Sequence, residues 1–264
     1  MKDQYMTEYS QNPSRDKDTC AAEGKKEFLT ELHCHTSEVS RCGKATAAQV
    51  VDFYLFRGYT TVVLTNHLNK STFNNPRYGD QSGWDWPKRV DFFVGCYEKM
   101  KEAAAGRLNI LLGCEFRSFT GPSDYQIYGI TKEFLLEHPD IQQLEIKEVS
   151  KLVRAAGMLF IQAHPFRDGM YITKPSRLDG IEVFNGNLTK DNRNDIAEIW
   201  ADRYGLIKVS GTDYHGKNPQ AMPVGITTDF PIESNEQLLS TLRSGNYRLL
   251  RNRLASDGVT EERY

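Results

Sequence analysis

No run of about 18 apolar residues occurs in this chain of 264, which excludes a hydrophobic helix long enough to span a bilayer. The first residues also lack the short apolar core of a secretory signal, so a cytoplasmic address is the expectation. A dominant charge is missing too: the formal net charge is -2 and the isoelectric point is near 6.3. That argues against a broadly basic surface gripping nucleic acid through many phosphates. Cysteine is sparse, with Cys20, Cys34, Cys42, Cys96 and Cys114 odd in number and without CxxC spacing. Neither a disulfide framework nor a zinc ribbon fits, and reduced thiols are expected. No internal repeat and no linker rich in proline, glycine or serine divides the chain.

What is present is the composition of a globular protein, 39% hydrophobic and 26% charged. Residues 1–26 are polar and without apolar period, so they are expected to be a flexible extension, with one domain over 27–264. From Glu27 onward, strands are predicted at 28–35, 60–65, 109–116, 125–130, 158–163, 180–184 and 206–210. Helices are predicted at 46–57, 87–105, 146–156, 190–204 and 235–243. Alternation at this spacing implies an α/β fold with mostly parallel strands, either a barrel or a doubly wound sheet. The basic C-terminal segment with Arg248, Arg251 and Arg253 is expected to be a solvated tail. Trp84 and Trp86 are expected to pin their loop to the domain as much as to line a substrate mouth.

Five of the six histidines, His33, His35, His67, His164 and His215, fall at or just beyond the C-terminal end of a predicted strand. In α/β sheets and barrels alike, that edge is where functional side chains gather. In Leu32-His33-Cys34-His35-Thr36 the two histidines are one residue apart on a strand, so both imidazoles face one side, about 7 Å apart along the chain. Alone, such a pair is as readily chance as a ligand pair. Glu115, His164, Asp213 and His215, all at strand ends, shift the balance. Imidazole nitrogen with carboxylate oxygen is the donor set that Zn, Mn and Fe accept, and a carboxylate can bridge two cations.

These residues resemble the PHP family, named for polymerase and histidinol phosphatase. Four ordered motifs carry the resemblance over about Glu27 to Gly225: Leu32-His33-Cys34-His35-Thr36, Thr65-Asn66-His67, Ala163-His164-Pro165 and Gly211-Thr212-Asp213-Tyr214-His215. The resemblance implies a distorted barrel of seven β/α units, two or three Mn, Fe or Zn ions, and phosphoesterase activity. It makes His33, His35, His67, Glu115, His164, Asp213 and His215 the ligands. The chain departs from the family pattern at Asn66, where aspartate is usual, and at Gln126, where a histidine often stands. Glu38 or Cys42 is placed to supply a ligand that follows the first motif.

The expected reaction is hydrolysis of a small phosphate ester by metal-activated water, with Asp213 at the centre and Arg117 and Arg167 placed to grip the phosphate. No membrane and no strong nucleic-acid partner is expected. The alternatives are a histidinol phosphatase, a nucleotide or oligonucleotide phosphatase, a non-catalytic module that binds metal or phosphate at a degenerate site, and a metal-dependent amidohydrolase.

Overall fold

The computed structural model describes residues 26–217 and 220–255, so the expected extension lies outside the described residues except for Lys26. Strands β1 (Phe28–Cys34) and β2 (Tyr59–Leu64) pair in parallel, and helix α1 (Ala47–Phe56) makes the crossover that a parallel pair requires. Thr46 starts α1 by accepting from the Gln49 N–H, while Thr46 N–H donates back to Gln49 Oε1 at 2.9 Å. This reciprocal cap satisfies two of the donors that a helix start leaves open.

The remaining elements are β3 (His67–Leu68), α2 (Trp86–Ala104), β4 (Asn109–Phe116), β5 (Tyr125–Tyr128), α3 (Lys132–Glu137) and α4 (Ile146–Ala155). After them come β6 (Leu159–Gln162), β7 (Gly180–Asn185), α5 (Asn194–Tyr204), β8 (Ile207–Gly211), β9 (Ala221–Thr228), α6 (Asn235–Ser244) and β10 (Arg248–Ala255). The sheet runs β10-β9-β1-β2-β4-β5-β6-β7-β8, with β3 beside β4. Beyond its last residue β8 returns to β1: Asp213 N–H donates to His33 O at 2.8 Å, and His35 N–H donates to Tyr214 O at 3.0 Å. The staves β1, β2, β4, β5, β6, β7 and β8 therefore make a nearly closed, distorted barrel, the α/β form that the resemblance implies.

Where β8 approaches β1, the buried Glu31 carboxylate replaces part of the ladder. Its Oε1 accepts the N–H groups of Leu32 at 3.0 Å, His33 at 2.7 Å and Thr212 at 2.9 Å. Burial nevertheless pushes the Glu31 carboxyl up to about 7, against the lowering effect of those backbone donors. Gly211 lets the strands come this close, because a Cβ there would lie 2.3 Å from His33 Cβ. One core cluster includes Leu32, Val63, Leu111, Ile161 and Val209 with Leu238 and Leu242 of α6. A larger one packs α1, α2 and α4 against the staves through Val50, Tyr54, Phe93, Val149 and Val153.

Several expectations need correction. The staves are mostly parallel as expected, with β5 the exception, antiparallel to both β4 and β6. The connections from β4 to β5 and from β6 to β7 hold no α-helix, and α3 was not anticipated. Helix α5 starts at Asn194 rather than near Lys190. The C-terminal segment is not a solvated tail, since β9 adds antiparallel to β1 and β10 to β9. Arg248 there pairs with Glu27 at 2.7 Å and Arg251 with Glu198. Its charge disguised a strand whose Leu249 packs, partly buried, against the core. Trp86 begins α2 and donates its indole N–H to Leu135 O, which pins the loop as one of the two readings had it.

Candidate metal centre

The carboxyl ends of the staves bring the expected residues to one rim. His33 and His35 come from the end of β1 and the residue after it, His67 from β3, Glu115 from β4, His164 from the turn after β6, and Asp213 and His215 from the turn after β8. Parallel pairing sets His67 directly opposite Glu115. His164 and Asp213 both have left-handed backbone, φ 26° and 52°, a region costly for residues with a Cβ. Each is held there by its own N–H, which donates to Glu182 Oε2 at 2.8 Å for His164 and to His33 O at 2.8 Å for Asp213.

Glu115 is the hub of the cluster. Its Oε2 lies 2.9 Å from His67 Nδ1, 3.3 Å from His35 Nε2 and 3.4 Å from His33 Nε2, and its Oε1 is 2.8 Å from His164 Nε2. Asp213 Oδ1 is 3.4 Å from His33 Nε2, 3.3 Å from His35 Nε2 and 3.4 Å from His215 Nδ1. Yet His33 Nε2, His35 Nε2, His67 Nδ1 and Glu115 Oε2 are buried without a properly aligned hydrogen bond. Buried polar atoms without partners are costly, and here they converge on shared points instead of on one another. Four overlapping triads, among them His35-His67-His215 and His33-His164-Asp213, have ligand atoms within 4.8 Å of each other. This donor set and convergence fit divalent cations.

The electrostatics follow from packing charges in a buried place. Burial opposes protonation of His33 and His67, but neighbouring carboxylates, Glu182, Asp213 and Glu115 for His33 and Glu115 for His67, hold both well above the usual histidine range. His215 is raised likewise, against burial, by Cys42 and Asp213. His35 goes the other way, lowered by burial and by the charges of His215 and His67. Burial works to raise Glu115 and Asp213, but the imidazoles drive both well below the carboxylate range.

In the metal-free protein the raised histidines contribute stability that is complete below about pH 6.5 and is lost as pH climbs through their folded values. The depressed carboxylates contribute stability present above about pH 4.5 and lost on acidification. A cation has to displace the imidazole protons, so binding strengthens with pH. The gain in Tm on adding Zn is expected to be larger at about pH 8 than at about pH 6. Equal gains in thermal melts at the two values would mean that these imidazoles do not bind the ion.

A second layer orients the first. His33 Nδ1 donates to Glu182 Oε1 at 2.8 Å, which turns its other nitrogen to the cluster. His35 Nδ1 is 3.3 Å from Ser40 Oγ, and Ser40 donates to Asn66 Oδ1 at 2.8 Å. Asn66 also accepts Thr36 N–H at 2.8 Å, so it supports the turn after β1 and is not itself in any ligand triad. Gln126 donates to Glu182 Oε1 at 3.4 Å and accepts from Tyr128 OH.

The other expected site residues are placed differently. Arg117 pairs with Asp124 through Nε at 2.6 Å and through Nη2. Arg167 gives its Nη2 to Asp213 Oδ2 at 2.8 Å and its Nε to Asn192 Oδ1 at 2.8 Å. Glu38 belongs to none of the triads, and its Oε1 accepts Ala47 N–H at 2.8 Å at the start of α1. The thiol of Cys42, although burial acts to raise it, is brought down to about 6 by hydrogen bonds with His215 and His67.

Sequence reasoning missed Glu182, Asp124 and Glu31. Asp124 joins Glu115 and His164 in one triad. A signal existed for Glu182 and Glu31, since each interrupts an otherwise apolar, buried strand, Gly-Ile-Glu-Val-Phe or Phe-Leu-Thr-Glu-Leu, where a lone acid calls for partners. Asp124 sits at the end of a loop and carries no such mark.

No protein-family model matches the chain. A 3',5'-nucleoside bisphosphate phosphatase from Chromobacterium violaceum is 38% identical over 92 residues. That match spans 31% of this chain and only 32% of the relative's length. Among solved structures, a two-domain protein from Bacteroides vulgatus containing a predicted PHP-like metal-dependent phosphoesterase aligns with a TM-score of 0.59 at 15% identity, over 88% of this chain and 67% of that one. The lesion-specific endonuclease from Pyrococcus furiosus aligns with a TM-score of 0.53 at 13% identity, over 85% of this chain and 58% of that one. An amidohydrolase from Chromobacterium violaceum, solved with sulfate and no metal, gives a TM-score of 0.50 at 17% identity, over 84% and 98%. At these identities the likeness is one of fold: the chain has the fold of the PHP-like phosphoesterases.

Proposed function

We propose that this protein is a metal-dependent phosphoesterase acting on a small phosphorylated substrate. The observation that carries the proposal is the convergence of five imidazoles and two carboxylates at one rim, where His33 Nε2, His35 Nε2, His67 Nδ1 and Glu115 Oε2 are buried and unpartnered. His33, His35, His67, Glu115, His164, Asp213 and His215 would hold two or three ions of Mn, Fe or Zn. Such ions supply an activated water and neutralise charge on the phosphoryl oxygens.

The chain's own residues do the rest. Glu115 and Asp213, kept ionised by the imidazoles, balance the positive charge and fix its spacing. Arg117 and Arg167 are each steadied through Nε and Nη2, which leaves the Nη1 edge of each guanidinium to meet a phosphoryl oxygen. Asp213 is held too acidic to be a proton donor near neutrality, so its part is that of an anion beside the reacting centre. Nucleoside bisphosphates are a substrate class to try, given the curated relative's name and its identity over 92 residues.

The test is purified protein loaded in turn with Mn, Fe and Zn and assayed on p-nitrophenyl phosphate, adenosine 3',5'-bisphosphate and a duplex with an abasic site. Release of phosphate from the small esters by the wild type, but not by His33→Ala, is expected. Wild type and His33→Ala equally inert under every metal and substrate would remove the proposal, and activity confined to the duplex would move it to nucleic acid.

A further inference from the structure

Two supports of opposite charge stand behind two of the candidate ligands, and one amide connects them. Glu182 accepts from His33 Nδ1 at 2.8 Å, and Arg167 donates to Asp213 Oδ2 at 2.8 Å. Asn185 Nδ2 donates to Glu182 Oε2 at 3.0 Å, while Asn185 Oδ1 accepts from Arg167 Nη2 at 3.1 Å. We propose that Asn185 is a positioning residue that ties the orientation of His33 to that of Asp213, so that ligands from opposite ends of the chain keep one geometry. Its role presupposes the metal centre proposed above.

The placement of Asn185 is unusual for a strand. Residues three apart on a regular strand face opposite sides, so Asn185 should point away from Glu182. The pairing of β7 with β8 is irregular between Glu182 and Phe184, and an extra residue of this kind re-aims the side chain that follows. The amide is then clamped. Asn185 Oδ1 also accepts Asn187 N–H at 3.0 Å, Asn185 N–H donates to Asn194 Oδ1 at 2.9 Å, and Asn185 O accepts from Asn194 Nδ2 at 3.2 Å. The residue is 2% exposed.

The chemistry explains the choice of an amide. If Glu182 and Arg167 met directly, their attraction would draw each away from the ligand it holds. An amide offers a donor to the carboxylate and an acceptor to the guanidinium at once, so both stay satisfied and apart. Aspartate here would lose the donor and set two carboxylates together; alanine would leave both supports short of a partner.

The experiment uses the whole 264-residue chain and Zn alone as the probe, with affinity read by chelator competition and the metal-free fold by circular dichroism and Tm. Asn185→Ala, Asn185→Asp and Glu182→Gln are each expected to weaken Zn binding by about 10- to 100-fold, as supports behind metal ligands do. The double variant Asn185→Ala with Glu182→Gln should bind about as weakly as the worse single variant, because the two act along one path. With Co in place of Zn, the visible absorption band should shift in Asn185→Ala. If Asn185→Ala does not fold, Asn185→Ser, whose short hydroxyl cannot reach both supports, supplies the same comparison. Wild-type affinity in these variants, or penalties that multiply in the double variant, would overturn the inference while leaving the metal centre intact. Failure of the wild type to take up Zn would overturn both.

Discussion

Glu115→Ala is expected to lower hydrolysis of p-nitrophenyl phosphate by about 10³-fold or more, because metal ions supply several kcal/mol of charge stabilisation and each 1.4 kcal/mol is a factor of ten. Among the described residues no other carboxylate lies near as many of the candidate imidazole ligands. Its two oxygens lie within 3.4 Å of nitrogens from His33, His35, His67 and His164. Removing it takes away the carboxylate that spans the triads His33-His35-Glu115 and Glu115-Asp124-His164. It also removes the negative charge that holds His67 protonated above its usual range. kcat/KM together with elemental analysis of bound metal is the measurement. Normal metal content with unchanged kcat/KM would show that the hub is merely structural. Retained metal with lost activity would place Glu115 in the chemistry alone.

Gly211→Ala is expected to cost about 3 kcal/mol of stability, which for a chain of this size lowers Tm by about 6–10 °C. The added Cβ would meet His33 Cβ at 2.3 Å and His33 N at 2.9 Å, both rigid parts of β1. Relief requires β8 to draw back, which weakens the bonds from Asp213 N–H to His33 O and from Gly186 N–H to Gly211 O. Asp213 would retreat with it, so metal binding should fall as well. Gly83→Ala is the control, since a Cβ there has open space and no positive φ. Chemical denaturation of the three proteins decides it; equal midpoints for Gly211→Ala and wild type would mean that the two strands are not this tightly apposed in solution.

Much of the site was legible because strand ends could be read from apolar runs followed by histidine. Leu32-His33, Ala163-His164 and Gly211-Thr212-Asp213 each announce a stave and its rim residue together. The direction of a stave was not legible, since Tyr125–Tyr128 has the same composition whichever way it runs. β9 and β10 escaped for other reasons: β9 is uncharged but broken by proline and glycine, β10 carries arginines that look like surface, and only the pairing of β9 with β1 and of β10 with β9 makes them part of the sheet. Arg117 and Arg167 are proposed from their sequence distance to candidate ligands, but their carboxylate partners, Asp124 and Asp213, depend on how loops fold back. The supporting roles of Asn66 and Gln126 could not be read from substitution patterns alone, because a missing ligand and a new hydrogen-bond partner look alike in one dimension.

The meeting of β1 and β8 carries a mechanical consequence. These two strands meet through only a few backbone hydrogen bonds, yet β1 and the residue after it bear His33 and His35, and the turn after β8 bears Asp213 and His215. An ion held jointly by them would act as a rivet across the barrel's seam, cross-linking positions nearly the whole folded chain apart. Closing so long a loop is entropically expensive, and a rivet placed there offsets that cost for every stave in between. Loading the centre and shutting the barrel would then be one event.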